Sequence, residues 1–358
     1  MSGKDTVAPA PTPIGHGMAA IVGQDVVLRA LATATERGRL PHALLFAGPQ
    51  GVGKATTALV LAQALNCSVA GPTDACGECR SCGKVARGIH PDFHWIGPSP
   101  RIIKIGQVRD IIGAVGYRPH EGKRRVIVVD EAHTMQGPAQ NAFLKTLEEP
   151  PASTTLILVT AAPGSLLPTV RSRCQTLRFS RVGQDAVREY LETRAGVPAN
   201  EAQLRAALTP GSIGGALALD LDSYSELLET VVEALRMSQG GGGGVVTAAD
   251  TLANVGHGET ATQRAASVLR IGRDILRDLL VVTANAEQAG LVNTDQREAW
   301  VAWAREVDDE GVIEALQALN QGVERLTTGI QPNIKMALEQ TLVGVGAGLS
   351  RAKHRAAS

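Results

Sequence analysis

Residues 48–55 read Gly48-Pro49-Gln50-Gly51-Val52-Gly53-Lys54-Ala55, a glycine-rich loop that ends on a lysine and an alanine. In a loop of the form G-x-x-x-x-G-K-[ST] the glycines let backbone N–H groups curl around phosphates. The lysine neutralises phosphate charge, and the final hydroxyl ligates Mg²⁺. Ala55 has no atom with which to ligate a metal. Thr56 is the next hydroxyl, but in a helix it is rotated about 100° from position 55, away from the metal position. The acidic component usual beside such a loop is present, because the apolar run 126–129 ends in Asp130-Glu131. Gly48, Gly51, Gly53, Lys54, Asp130 and Glu131 are therefore the candidate nucleotide-site residues. The chemistry they predict is phosphate binding, with ATP and Mg²⁺ held weakly or not at all and little hydrolysis.

Cys67, Cys76, Cys79 and Cys82 form a second constellation, spaced C-x8-C-x2-C-x2-C through a segment rich in Gly, Pro and Asp. In a reducing compartment such thiols do not pair, whereas four thiolates close a tetrahedral zinc site. All four positions are filled, so no place is left for a reacting water, and the zinc is expected to be structural. His90 is the nearest alternative ligand, but in His90-Pro91-Asp92 it lies beyond the cluster and reads as a turn histidine.

These residues need a scaffold. Apolar runs bounded by breakers recur at 42–47, 93–96, 126–130, 155–160 and 175–179, with helical patterns at 55–65, 105–115 and 138–148. Strands alternating with helices predict an α/β module built on a five-stranded parallel sheet covered on both faces, with the zinc module 67–82 as an insertion. The helix at 138–148 must stop at Pro150-Pro151. Its last residues, Glu148 and Glu149, face the disfavoured end of the helix dipole, which fits either an intersubunit role or an indifferent solvated end. The expected divisions are a disordered tail at 1–16, the α/β domain at 17–181, a small helical lid at 182–222, an all-α domain at 223–350 and a tail at 351–358. Helical spacing in the all-α part covers 224–237, 261–286, 297–305, 311–327 and 332–349, with Gly240 to Gly244 as a flexible joint.

The chain has 358 residues, 44% hydrophobic and 20% charged, with a formal net charge of zero. Two or three domains are expected at that length. Neutrality supplies no global pull toward nucleic acid or membrane, so any such contact must come from a local patch or from partners. No run approaches the ~20 apolar residues of a membrane span, and the first twenty residues lack the plan of a signal peptide, so a cytoplasmic location is expected. Three Trp, three Tyr and four Phe, none clustered as a stacking platform, argue against an isolated zinc-dependent nucleic-acid binder. No carboxylate pair suited to nucleotidyl transfer stands out. Lys123-Arg124-Arg125 fits either a contact to DNA phosphates or a solvated turn.

Taken together, these motifs resemble the bacterial DNA polymerase III clamp-loader subunits of the AAA+ class, and within them the delta-prime branch, over nearly the whole chain. The resemblance rests on Val22-Gly23-Gln24, Pro41-His42-Ala43, the four cysteines, His90-Pro91-Asp92 and Asp130-Glu131-Ala132-His133. It continues through Asn141 to Pro151 (NAFLKTLEEPP), Ser172-Arg173-Cys174 and Pro332 to Glu339 (PNIKMALE). It implies an AAA+ module, a lid and a collar domain that joins subunits. In that family the Ser-Arg-Cys arginine reaches in trans into a neighbour's ATP site and stabilises charge on the transferring phosphate. Arg173 is the matching residue; its plain alternative is a helix-end salt bridge.

Two positions depart from the catalytic gamma/tau pattern. That pattern has Ser or Thr after the loop lysine and an arginine in the lid, where this chain has Ala55 and Gly215. Thr160, at the end of the fourth strand, matches the family's first sensor position and also fits an ordinary strand-end threonine.

The implied role is a largely non-hydrolysing stator with no ATPase or polymerase activity of its own, within a polymerase holoenzyme. The implied partners are gamma/tau ATPase subunits, the delta subunit, the sliding clamp and primer-template DNA, in a hetero-pentamer at the nucleoid-associated replisome. The alternative is an active gamma/tau-type motor.

Overall fold

Five short strands, four of them largely apolar and the edge strand Gln175–Arg178 polar, form the centre of the first half of the chain. The computed structural model describes residues 16–71, 73–99, 101–115, 118–149, 151, 153–258, 260–286, 290–328 and 333–351. The expected tails lie outside these residues apart from His16 and Arg351, as do Pro72, Pro150 and Pro332. The chain divides into two units between Ala218 and Leu219.

In the first unit the order is α1 (Asp25–Glu36), β1 (Ala43–Ala47), α2 (Lys54–Asn66), α3 (Arg80–Ala86), β2 (Phe93–Ile96), α4 (Ile105–Val115) and β3 (Arg125–Val129). Then come α5 (Gly137–Glu148), β4 (Thr154–Thr160), α6 (Pro168–Arg171), β5 (Gln175–Arg178), α7 (Gln184–Thr193), α8 (Ala199–Leu208) and α9 (Ile213–Ala218). The strands lie in the order β2-β3-β4-β1-β5, every pair parallel. β4 thus separates the strand that feeds the glycine loop from the strand that ends at Asp130.

A side chain alternates faces along a strand, and here the alternation sorts the core into two halves. Leu44, Phe46, Val126, Val128, Ile157 and Val159 pack with Leu31 of α1 and Leu59 and Leu61 of α2. Their neighbours Ala43, Leu45, Ile127, Val129, Leu156 and Leu158 pack with Val108 of α4 and Phe143 and Leu147 of α5. Continuous apolar strands, rather than alternating ones, are what a sheet covered on both faces requires. α2 is buried almost all round from Thr57 to Asn66, and each of its leucines contributes roughly 1.5–3 kcal/mol by leaving water. That burial holds the helix's first turn, and hence Lys54, against the sheet.

Helices α7, α8 and α9 form a small bundle with its own core of Val187, Leu191, Ala202, Ala206 and Ala216. The second unit is all helical: α10 (Leu221–Gln239), α11 (Gly242–Asn254), α12 (Ala261–Thr283), α13 (Arg297–Trp303), α14 (Asp309–Thr328) and α15 (Ile334–Leu349). Thr260 and Gln263 make a reciprocal capping box at α12, and Asn333 accepts from Met336 N at 3.1 Å to cap α15. The glycine run is not one joint. Only Gly240 and Gly241 link helices, while Gly242, Gly243 and Gly244 form the first turn of α11, a helix the sequence spacing did not predict. Five consecutive glycines masked it, because propensity disfavours glycine in helices and tertiary packing overrode that preference. Among the described residues no helix is long and apolar enough to cross a membrane.

Candidate nucleotide pocket, metal centre and exposed arginine

β1 delivers the chain to Gly48, and α2 starts at Lys54, so the glycine loop joins a buried strand to a helix N-terminus. Gly51 and Gly53 take φ of 72° and 98°, a region glycine enters at little cost. Among the described residues the backbone N–H groups of Gln50 through Thr56 have no protein acceptor. Lys54 is 6% exposed, and its Nζ donates to the carbonyls of Gly48, at 2.8 Å, and Pro49. Burial lowers its pKa, and the nearby Asp130 and Glu131 oppose that shift. Burial likewise raises the Asp130 carboxyl, whose Oδ1 accepts from Glu131 N at 2.9 Å.

These groups line one cavity of about 320 Å³, within the size range of small-molecule sites. Lys54, Ala55, Thr56, Asp130, Glu131 and Thr160 form its polar part, and Ala20, Ile21, Val22, Tyr190, Ile213 and Leu217 an apolar slot. Thr56 is on the wall beside Ala55. Thr160 holds the loop through its carbonyl, which accepts from Gly48 N at 3.2 Å, while its hydroxyl accepts from Ala162 N at 3.0 Å.

The lid sits directly on the loop. Gly214 N donates to Gly51 O at 2.9 Å, Ser212 Oγ donates to Gln50 O at 3.0 Å, and Gly215 N donates to Ser212 Oγ at 3.0 Å. A Cβ at Gly214 would lie 3.1 Å from Gly51 Cα, a tight contact that would press on the loop. The lid residues on the cavity wall are Ile213, Gly214 and Leu217, with Tyr190 of α7; none carries a cation.

Sequence reasoning passed over the apolar slot and the residue that fixes it. Gln24 is 3% exposed; its Nε2 donates to Val52 O at 3.2 Å and Ser180 O at 2.8 Å, and its Oε1 accepts from Ser180 N at 3.3 Å. A glutamine so placed ties the segment carrying Ile21 and Val22 to the loop. Its only sequence signal was the tripeptide Val22-Gly23-Gln24.

The four cysteines converge as their spacing predicts. Sγ separations are 3.6 Å for Cys67–Cys76, 3.9 Å for Cys67–Cys79 and 4.0 Å for Cys76–Cys82. The edge of a tetrahedron with metal–sulfur bonds of about 2.3 Å is about 3.8 Å, so the set fits a tetrahedral ion. Backbone N–H groups of Ala70, Cys79 and Cys82 donate to Cys67, Cys76 and Cys79 Sγ. Burial resists ionisation of Cys67 and Cys79, but their donors outweigh it: both are lowered, Cys79 to about 5 through Ser68 and Cys82. Cys82 is raised, first by burial. The cluster could hold a metal ion.

The cluster is also a fastener. Asp74 Oδ1 accepts from Met18 N at 2.8 Å, tying the cysteine loop to the segment that leads into Ala20–Val22. His90 stands apart from the metal set. Its Nδ1 accepts from Asp92 N at 3.1 Å, and Asp92, fully buried, accepts from the N–H groups of His120, Glu121 and Gly122 and pairs with Arg125 at 3.2 Å.

The basic triplet lies at the turn leading into β3, with Lys123 exposed, Arg124 partly exposed and Arg125 buried. Lys123 Nζ donates to Cys67 O at 2.8 Å, Arg124 Nη1 donates to Thr155 Oγ1 at 3.3 Å, and Arg125 is buried against Asp92. All three side chains also fasten the turn to the cysteine loop and the sheet. The clustering of charge on a turn carries no information about those acceptors.

Arg173 follows α6 and precedes the edge strand β5. Its Nη1 donates to Thr169 O at 2.9 Å and its Nη2 lies 2.6 Å from Glu148 Oε1, with the two side chains 35% and 50% exposed. It does not line the cavity of its own chain. Cys174 beside it is pushed up to about 11 by burial and lies apart from the four-cysteine set.

The sequence profile described as DNA polymerase III, delta subunit, matches residues 23–183, and that described as DNA polymerase III, delta subunit, C terminal, matches residues 261–345. The chain belongs to the DNA polymerase III clamp-loader family. Among curated relatives of the family, the tau subunit of Salmonella typhimurium is 38% identical over 172 residues, 48% of this chain and 27% of that protein. The delta' subunit of Pseudomonas aeruginosa is 36% identical over 203 residues, 56% of this chain and 62% of that protein. The chain therefore spans less than two thirds of either relative. A gamma subunit-related protein of Thermotoga maritima superposes with a TM-score of 0.41 at 17% identity, over 90% of this chain and 99% of that one. The described residues form a parallel five-stranded sheet with a cysteine insertion, and a separate helical unit.

Proposed function

We propose that this chain is the delta-prime-type stator of a bacterial clamp loader, which hydrolyses little or no ATP itself and supplies Arg173 to the ATP site of a neighbouring subunit. The observation that carries this is the placement of Arg173, half-exposed and held by Thr169 and Glu148, off the wall of its own nucleotide cavity. A guanidinium so placed lies away from the wall of its own cavity, which supports a role outside it; its pair with the last residue of α5 is also the helix-end salt bridge that the sequence left open. Ala55 and Gly215 support the same reading, because the positions that would hold Mg²⁺ and contact a terminal phosphate carry neither a hydroxyl nor a cation. Losing such contacts raises a phosphoryl-transfer barrier by a few kcal/mol each.

On this reading the neighbours are gamma/tau ATPase subunits and the delta subunit. The helical unit serves as the collar of a pentamer, and the complex places the sliding clamp on primer-template DNA in the cytoplasm, at the replisome. The ion in the four-cysteine cluster is zinc, in a structural role, since four thiolates in a tetrahedron are its preferred set. The similarity to tau subunits favours a second reading, an active motor.

Reconstitution with the motor and clamp-opening subunits separates the two. The stator reading expects little turnover by the isolated chain and loss of DNA-stimulated ATPase in the Arg173→Ala complex. Robust turnover by the isolated chain, abolished by Lys54→Ala, would sink it.

A further inference from the structure

A second cavity, of about 440 Å³, lies within the helical unit between the C-terminal end of α12 and α13. Val281, Val282, Leu291, Val301 and Ala304 make it largely apolar, and Arg297 and Arg305 stand on its wall. Among the described residues that line it, none is acidic. Its volume is in the range of ligand sites, and none of the residues assigned to phosphate, metal or a neighbouring subunit touches it.

Spacing fixes the charge pattern. Arg297, Val301 and Arg305 recur at every fourth position along α13 and the turn that follows it, so they share one side with an apolar residue between the cations. At 1.5 Å per residue the two arginines stand about 12 Å apart along the helix.

The acids closest in sequence and packing are committed elsewhere. Glu306 pairs with Arg236 at 3.7 Å, and the Arg236 guanidinium sits 4.5 Å from the Trp303 ring centre. Asp278 is fully buried and accepts from the N–H groups of Val292 and Asn293. The end of α12 is closed by its own turn. Ala284 N and Thr283 Oγ1 donate to Leu280 O, Asn285 N to Val282 O and Ala286 N to Val281 O. The carbonyls that a helix C-terminus would turn on an anion therefore already have donors.

The walls are pre-formed as well. Asp278 pins the segment after Leu291, and Asn293 Oδ1 accepts from Tyr224 of α10 at 2.8 Å. Trp300 and Trp303, 1% and 0% exposed, seat α13 in the core. A ligand entering such a cavity orders little that is not ordered already, which favours binding.

We infer that this cavity docks an acidic segment of a partner protein, an extended peptide with two carboxylates about four residues apart and apolar side chains between them. An extended chain advances about 3.3 Å per residue, so that spacing matches the separation of the arginines. Thr283, Asn285 and Thr294 on the wall supply hydrogen-bonding groups for peptide amides, which an aliphatic acid would leave unmet. Nucleic acid fits less well, because no aromatic ring lines the cavity to stack a base. The site involves neither Arg173 nor the glycine loop, so it stands or falls separately from the stator reading. No bond forms or breaks; the event is association alone.

The experiment is a fluorescence-anisotropy titration of labelled, end-blocked pentapeptides with the full-length chain. The probe pool has Glu at both ends and Leu, Ile, Val, Met or Phe at the central positions. Saturable binding is expected, weakened by about tenfold or more in Arg297→Glu and in Arg305→Glu, since each replaces an attraction by a repulsion. Both positions are exposed, and an unchanged unfolding temperature confirms that the variants are folded. A pool with Gln in place of Glu, and the peptide Glu-Gly-Ser-Gly-Glu, should each bind about tenfold more weakly than the probe pool.

Absence of saturable binding by the folded chain up to about 1 mM overturns the inference. So does equal binding of the Gln pool, or binding that both arginine variants leave unchanged. Displacement of the peptides by oligothymidylate that binds more tightly at the same arginines would make the site one for nucleic acid and overturn it too.

Discussion

Arg173 Nη2 lies 2.6 Å from Glu148 Oε1, an ion pair between the turn before β5 and the last residue of α5. It accounts for a carboxylate at a helix C-terminus, where the dipole disfavours it. Glu148 and Thr169 O grip the guanidinium from two directions and restrict where it can point. Because both side chains are half-exposed, the pair is worth less than about 1 kcal/mol of stability. Glu148→Gln should therefore leave thermal unfolding nearly unchanged, yet lower DNA-stimulated ATPase of the reconstituted complex about fivefold through loss of orientation. Arg173→Lys should fail to rescue Arg173→Ala, because an ammonium lacks the planar fork. Full activity of Glu148→Gln would show that the pair is an ordinary surface contact.

The lid–loop contact makes a prediction that a double-mutant cycle can isolate. Gly51 has φ of 72°, and a methyl group there meets the Ser212 hydroxyl. Gly51→Ala should cost about 1–3 kcal/mol from the backbone strain and the clash together. Ser212→Ala alone should cost about 0.5–1.5 kcal/mol for the hydrogen bond to Gln50. In the Ser212→Ala background the alanine at 51 should be cheaper, measured by urea unfolding, since the obstructing hydroxyl has gone. Equal costs in both backgrounds would mean that strain alone matters and the lid does not bear on the loop.

Motifs whose function depends on local spacing were legible before the fold was seen. The four cysteines, the loop ending on Lys54 and the strand ending at Asp130 come together because strand, loop and helix geometry follow from a few adjacent residues. Contacts made across large sequence separations were not legible. Gln24 reaches Ser180, a contact its tripeptide does not reveal, and buried Asp278 accepts from Val292 N at 2.7 Å, Asn293 N at 2.8 Å and Asn293 Nδ2 at 2.9 Å with no motif announcing it. Lys123-Arg124-Arg125 shows the same limit from the other side: charge was visible, but the acceptors Cys67 O and Asp92 were distant in sequence. The helix begun by Gly242 was hidden because its stability comes from packing Val245, Ala248 and Leu252, not from its first turn.

For the cysteine cluster, the purified chain should carry about one zinc ion, measured by elemental analysis, and cobalt substitution should give the absorption of a tetrahedral thiolate site. Removing the ion, or Cys79→Ser, should lower stability by about 2 kcal/mol or more, since folding and metal binding are coupled. The loss should extend beyond the cluster, because Asp74 holds Met18 N and with it the approach to the nucleotide cavity. Hydrogen exchange of residues 18–22 should rise on metal removal. A Cys79→Ser chain with unchanged zinc content and unfolding temperature would exclude the four-cysteine site.

Asp92 supplies a pH dependence whose direction is fixed by its bonds. Burial alone would raise its carboxyl, but donation from Gly122, His120 and Glu121 N–H and from Arg125 holds it down, from 3.8 to about 2. A depressed folded-state pKa means that the unfolded chain takes up the proton first as pH falls. The stabilisation is therefore fully present above 3.8 and is lost as pH drops toward about 2. Its size, from a shift of that order, is about 2 kcal/mol. Asp92→Asn should lower stability at neutral pH by at least that amount, because an amide cannot accept as well from three backbone N–H groups and the Arg125 guanidinium. The difference between wild type and Asp92→Asn, followed by denaturant unfolding, should narrow as pH falls through that interval. A gap that stays constant between pH 3.8 and about 2 would show that the carboxylate's charge is not what holds the turn.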